Sequence, residues 1–127
     1  MSSYLVAIPS AMPGGLDAAM GMHFGHCDLY TIVEVENDAI KSVSTLPNVP
    51  HQQGGCMAPV QHLASNGVNK ILAGGMGMRP LMGFQQVGIE AYFAGQCPTV
   101  GVAVRALLAG QLVPFSAENT CGGGGGH

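Results

Sequence analysis

Two stretches decide the fold: Asn66-Gly-Val-Asn-Lys-Ile-Leu-Ala-Gly-Gly75 and Gln86-Val-Gly-Ile-Glu-Ala-Tyr-Phe-Ala-Gly95. Each reads as a helix end, a short apolar strand, a glycine turn and the start of another helix. The strands they predict are Val68–Ala73 and Ile89–Ala94. Three helices fit around them. Met57–Ser65 has Pro59 in its first turn and Gly67 beyond its end. Arg79–Gln86 has Pro80 near its start and Gly88 after it. Thr99–Leu108 follows Pro98 and is closed by Gly110. Proline near a helix start and glycine past its end is the polarity that helices favour. Alternating helix and strand implies parallel strands joined by right-handed crossovers.

Towards the N-terminus the pattern changes. Tyr4–Pro9 is an apolar run of strand length. Ala11–Phe24, rich in glycine and methionine with a Pro-Gly-Gly turn, reads as a loop. Asp28–Val35 and Ile40–Thr45 are β-type runs separated by Glu36-Asn37-Asp38, which suits a hairpin. Leu46–Gly55 reads as a connecting loop. A hairpin joined to parallel units predicts an α/β domain with a mixed five-stranded sheet covered by helices. The end, Cys121-Gly-Gly-Gly-Gly-Gly-His127, is opposed to any fixed structure by glycine entropy. The expected division is therefore one domain over residues 1–115 and a flexible tail over 116–127.

The chain has 127 residues and is 47% apolar, enough for one domain with a real core. No apolar run approaches the ~20 residues of a membrane helix, and the start Met1-Ser-Ser-Tyr-Leu-Val-Ala-Ile-Pro9 lacks the pattern of an export signal. These features predict a soluble cytoplasmic protein with no membrane partner. Charged residues make up only 9% and the formal net charge is −3. Lys41, Lys70, Arg79 and Arg105 are too few for a broad phosphate-binding surface, which argues against nucleic acid. So few charges also make self-association plausible.

The densest group of metal-ligating side chains is His23-Phe-Gly-His-Cys27. Two imidazoles and one thiolate suit copper, zinc or iron. The same residues also read as a hydrogen-bonded histidine and a buried thiol. Cys27, Cys56, Cys97 and Cys121 form no C-x-x-C pair, so a zinc knuckle or ferredoxin-like run is excluded by pattern. A disulfide framework is disfavoured by the missing export signal. Gly54-Gly-Cys-Met57, Gly74-Gly-Met-Gly77 and Gly95-Gln-Cys-Pro98 each open a predicted helix. In a parallel sheet such turns gather at the carboxyl ends of the strands, where ligands bind. Free helix-start amides favour an anion and should lower the pKa of Cys56 and Cys97; equally, the glycines make tight turns. Met12, Met20, Met22, Met76 and Met78 fall in predicted loops, where thioethers can line an adaptable pocket. Nucleotide fingerprints are absent. The seven carboxylates offer no converging two-metal set: Glu34 and Glu36 share a strand face, while Asp38 falls in the turn. No G-x-S-x-G elbow exists. A thiol enzyme using Cys27 or Cys56 with a histidine stays open.

Tyr4-Leu-Val-Ala-Ile-Pro9, His23-Phe-Gly25 followed by Tyr30-Thr-Ile-Val-Glu34, Ile71-Leu-Ala-Gly-Gly-Met-Gly77 and Ile89-Glu-Ala-Tyr92 together resemble the dinitrogenase iron–molybdenum cofactor biosynthesis family. That family includes cofactor carrier and insertion proteins and the molybdenum–copper orange protein. The resemblance runs from about Leu5 to Leu112. It implies a ribonuclease H-like fold without nuclease activity, and a role in holding or passing metal–sulfur clusters. The family element is generally His-Phe-Gly-Arg; here His26 stands in the arginine position and Cys27 follows. One cation is lost and two ligand candidates are gained. Glycine-rich tails ending in cysteine and histidine also occur among relatives, so Cys121 to His127 reads as a metal-capturing arm or a degenerate terminus.

Residues and resemblance together lead to one expectation: a non-enzymatic carrier of a molybdenum- or iron-containing sulfur cluster, of Mo–Cu, Fe–Mo or iron–sulfur type. Its partners would be the proteins that donate or accept that cluster. The cluster would lie among His23, Phe24, Gly25, His26, Cys27, Cys56, Gly74, Gly75, Met76, Gly77, Arg79 and Cys97. The metal-ligand candidates are His26, Cys27, Cys56, Cys121 and His127. His23 serves equally well as a residue that orients the loop. Arg79 is the best cation, Arg105 should face solvent, and binding should order Ala11–Phe24. Two alternatives stand beside this: a metallochaperone or sensor holding one Cu or Zn ion at His26 and Cys27, and a partner-binding adaptor without metal.

Overall fold

A computed structural model describes residues 3–20, 29–47, 57–75, 78–94 and 97–115. In chain order they form β1 (Ser3–Ser10), β2 (Leu29–Glu36), β3 (Ala39–Pro47), α1 (Met57–Ser65), β4 (Lys70–Ala73), α2 (Met78–Val87), β5 (Glu90–Phe93), α3 (Val100–Leu108) and β6 (Val113–Pro114). The strands make one mixed sheet in the order β3-β2-β1-β4-β5-β6. β1, β4 and β5 run parallel; β2 is antiparallel to β1 and β3, and β6 to β5.

The sheet therefore has six strands where the sequence predicts five. The extra one is two residues long, with Val113 opposite Phe93 and Pro114 opposite Tyr92. So short a strand shows no alternation, and its proline argues against it in a pattern reading. A second correction concerns Met78, which begins α2 and does not lie in a loop.

The hairpin turns at Asn37 and Asp38, with φ of 55° and 64°. Two successive positive φ values match the type I′ turn whose twist suits a hairpin, and Asn and Asp tolerate that region best after glycine. The register then slips: Glu34 faces Ser42 while Val35 faces Ile40, so Lys41 is a bulge residue. Its ammonium lies 3.3 Å from Glu36 and 3.9 Å from Glu34.

The three helices end alike. Gly67 donates to the Ala64 carbonyl and Val68 to Leu63; Gly88 donates to Gln85 and Ile89 to Phe84; Gly110 donates to Leu107 and Gln111 to Ala106. Each pair is a Schellman closure, which needs a left-handed residue at the glycine. The repeat seen in the sequence is thus one physical device used three times.

Strand alternation sorts the core to two faces. Ala7, Tyr30, Ile71 and Ala73 meet Val60 and Leu63 of α1 and Leu81 and Phe84 of α2. Val6, Ile8, Val33, Val35 and Leu72 meet Val100, Ala103 and Val104 of α3. At the starts of β4 and β5, the Lys70 ammonium bonds Glu90 and lies 5.1 Å and 5.4 Å from the ring centres of Tyr4 and Tyr92. Tyr92 Oη also donates to Glu90 at 3.1 Å. The bond from Lys70, then that from Tyr92, holds the Glu90 carboxyl below the usual carboxylate range. Burial alone would lower the Lys70 pKa; the bond to Glu90 and the neighbouring Tyr92 outweigh it and raise the value.

A depressed carboxyl pKa adds stability above its unfolded value, and that contribution is lost as pH falls through the folded one. Urea titrations of the parent and of Glu90→Gln should differ at neutral pH and converge below the carboxylate range. The difference should stay under about 1 kcal/mol, because solvent screens this exposed carboxylate. A constant gap down to the lowest pH would disprove the assignment.

Candidate functional site

The carboxyl ends of β1, β4 and β5 share one edge of the sheet, at Ser10, Ala73 and Phe93. β2 starts at that edge, with Leu29 opposite Ser10, and β3 ends there, with Pro47 opposite Leu29. Every connection that carries a candidate ligand of the main domain begins or ends on this edge. His23, Phe24, Gly25, His26, Cys27, Cys56, Met76 and Gly77 lie outside the described residues, as do Cys121 and His127. The backbone of Arg79 is in the first turn of α2, but its side chain is outside the description. Gly74, half-buried, and Gly75, buried, directly follow β4. Arg105 is exposed, as expected.

Between β1 and β2, residues 11–20 form a strap built by backbone bonds. Ala11 N donates to Ala19 O at 3.0 Å, Gly14 N to Ala11 O at 2.9 Å and Ala18 N to Gly15 O at 3.2 Å. Gly15 N also donates to Thr31 Oγ1 at 3.1 Å, and the Thr31 and Ser10 hydroxyls are 2.8 Å apart, both fully buried. Gly14 has φ +81°, and a Cβ there would stand 2.7 Å from Thr45 Cγ2 and 2.9 Å from Leu29 Cδ1. Only glycine fits. The expectation that cluster binding orders Ala11–Phe24 is narrowed accordingly: residues 11–20 are already tied into the fold, and 21–24 lie outside the described residues.

The far side of the strap docks on α3. Leu16 O accepts from Gly101 N at 2.8 Å, and Ala18 O from Val100 N at 3.0 Å. Thr99 caps the helix, its side chain accepting from Val102 N at 3.3 Å and its carbonyl from Ala103 N at 3.1 Å. The amides at the start of α3 are therefore taken, contrary to the expectation that this helix start offers free donors to an anion. Cys97 differs in the same way. It is half-buried, its amide donating to Ala94 O at 3.1 Å, and burial pushes its thiol pKa up. With the α3 donors satisfied by the strap and by Thr99, nothing among the described residues offsets that desolvation. Its side chain borders a cavity of about 450 Å³ shared with Phe93, Val102, Ala106 and Leu112.

Among the described residues, no three His, Cys, Asp or Glu side chains stand close enough to hold a metal ion, and no helix is long and apolar enough to cross a membrane. Sequence reasoning missed Ser10, Thr31, Leu16, Ala18 and Gly101 as determinants of this edge. One signal was readable: Thr31 lies on the inward face of β2 with Val33 and Val35, and a polar residue there needs a partner.

The family model described as "Dinitrogenase iron-molybdenum cofactor" matches residues 4–110. The Methanocaldococcus jannaschii protein MJ0580 is 32% identical over 97 residues, covering 73% of this chain and 80% of that one. The apo form of the orange protein from Desulfovibrio gigas superposes with a TM-score of 0.75 at 23% identity, covering 89% of this chain and 97% of that one. TM1290 from Thermotoga gives 0.73 at 26% identity, over 91% and 98% of the two chains.

Alkylation by iodoacetamide, followed by peptide mass spectrometry, reads the environment of Cys97 directly. Its rate should rise with pH through a midpoint above that of an unstructured cysteine. A midpoint at or below that reference would restore the activated-thiol reading.

Proposed function

The chain belongs to the dinitrogenase iron–molybdenum cofactor family, and from this premise we propose that it carries a molybdenum- or iron-containing sulfur cluster between a donor and an acceptor protein. Family and fold support a role in metal-cluster carriage or biosynthesis in general. The observation that carries the finer reading is the convergence on one sheet edge of the described ends of every connection bearing a ligand candidate. Such an edge is where a parallel sheet binds its guest.

In this reading the guest is cargo and undergoes no turnover. Soft donors come from Cys27, Cys56 and Cys97, with His26 as an imidazole ligand and His23 as ligand or loop orienter. Phe24 and Gly25 complete that element. Since the α3 amides are occupied, anion-stabilising donors fall to Gly74, Gly75, Met76, Gly77 and the start of α2, with Arg79 as the cation. The raised thiol pKa keeps Cys97 protonated until a metal displaces its proton.

Cys121 and His127 act as a capturing arm. β6 leads the chain away from the site edge, Phe115 N bonding Ala91 O, so the arm must double back. The six residues from Phe115 to Cys121 (121 − 115) reach about 20 Å when extended. The division into a domain over 1–115 and a tail over 116–127, and a cytoplasmic location, belong to this reading. So does the ribonuclease H-like description, supported by the β3-β2-β1-β4-β5 arrangement of one hairpin and two parallel units. A second reading, one Cu or Zn ion held at His26 and Cys27, is favoured by the His-Cys pair that replaces the family arginine.

Anaerobic purification with elemental analysis, acid-labile sulfide and an optical spectrum separates the two. The carrier reading expects molybdenum or iron with stoichiometric sulfide and charge-transfer absorbance. One copper or zinc per chain without sulfide would replace it with the second. Cys27→Ala should lose most of the bound cluster, and full retention would remove Cys27 from the ligand set.

A further inference from the structure

We infer that residues 11–20 are the positioning device of the cluster site, with Ser10, Thr31 and Gly101 as its positioning residues. The inference rests on the carrier reading and adds what sets the geometry of that site.

Proton counting fixes the direction of the buried hydroxyl pair. Ser10 Oγ lies 2.6 Å from Ile8 O and gives its one proton there. It can then only accept from Thr31 at 2.8 Å, so Thr31 has spent its own proton and must accept the Gly15 amide at 3.1 Å. The relay runs from Gly15 N through Thr31 and Ser10 to Ile8 O with one polarity, and both hydroxyl residues are fully buried. It ties the first half of the strap to the sheet.

The second half is tied to α3 through Leu16 O and Ala18 O. Gly101 permits that approach, since a Cβ there would stand 3.1 Å from Leu16 O. Met20, the last described residue of the strap, then donates to Pro98 O at 3.3 Å, beside Cys97. Met20 also bridges Ser10, whose other partner is Leu29. Met20 and Leu29, the described residues that flank the segment carrying His23, His26 and Cys27, thus stand on either side of Ser10, Met20 beside the Cys97 turn. The hydroxyl relay and the α3 contact together set that separation.

The test compares the parent with Thr31→Val, Thr31→Ser, Gly101→Ala and Leu63→Ala; the last is a buried α1 residue on the opposite face of the sheet. Hydrogen exchange is read as the ratio of the rates at Val100 and Gly101, which report local opening, to the rate at Val33, which reports global unfolding. Thr31→Val and Gly101→Ala should raise this ratio about tenfold, as local opening of the strap requires, while Thr31→Ser leaves it unchanged and Leu63→Ala does not raise it. Anaerobic optical titration with tetrathiomolybdate, a soluble metal–sulfide anion, supplies the second readout. Thr31→Val should weaken binding about tenfold, consistent with the sensitivity of a built site to small displacements, with recovery in Thr31→Ser and little change in Leu63→Ala. An unchanged exchange ratio in Thr31→Val, or equal binding losses in Thr31→Val and Leu63→Ala, overturns the positioning role. A parent that binds no tetrathiomolybdate removes the molybdenum form of the carrier reading and this positioning role with it, whatever the exchange ratios show.

Discussion

A buried polar group needs a hydrogen-bond partner, and the region between β1 and β2 is organised by that need around the buried hydroxyls of Ser10 and Thr31. Gly15 has Thr31, Thr31 has Ser10, and Ser10 has the Ile8 carbonyl. From the other side, the first amides of α3 find the strap carbonyls of Leu16 and Ala18. Donors of the helix and acceptors of the strap satisfy each other, which is why a glycine-rich segment without regular structure can hold one position. The arrangement leaves no free amide at the start of α3. The positive end of α3 is spent on the protein itself.

The rest of the architecture serves to bring strand ends to a common edge. Three parallel strands finish there, and the antiparallel hairpin returns to the same place because its turn at Asn37 and Asp38 lies at the opposite end. Core packing holds this alignment from both faces: α1 and α2 close over Ile71 and Ala73, and α3 over Val6, Ile8 and Leu72. The Lys70, Glu90, Tyr4 and Tyr92 cluster lies at the far end of β4 and β5. It steadies the sheet away from the chemistry.

Most of the fold was legible in the sequence because its signals are local. Glycine after each helix, proline near each start and an Asn-Asp turn act over a few residues, and the helix Met57–Ser65 is found as read. The two-residue β6 escaped because no periodicity fits in that length. Of the candidate site, most side chains lie outside the described residues, and what the structure describes is the sheet edge that their connections share. The topology brings the candidate connections to one edge, as parallel strands require. Yet the expectation of free amides before α3 failed, since whether a helix start is vacant depends on what packs against it. Leu16 precedes Gly101 by 85 residues (101 − 16), and no local pattern connects them. Cys97 follows the same logic: its position in the chain suggested activation, while its surroundings produce the reverse.

The two margins of the sheet deal differently with a hazard common to open sheets. Unpaired strand groups invite another chain to add on and propagate. At β6 the margin is only Val113 and Pro114, and the proline brings no N–H to a newcomer. At β3 the margin is nine residues long, and there the Lys41 bulge twists the strand and sets a cation on it. A protein with so few charges therefore keeps one of its four cations where it can interrupt fibril growth, and uses an imino acid to the same end on the other flank.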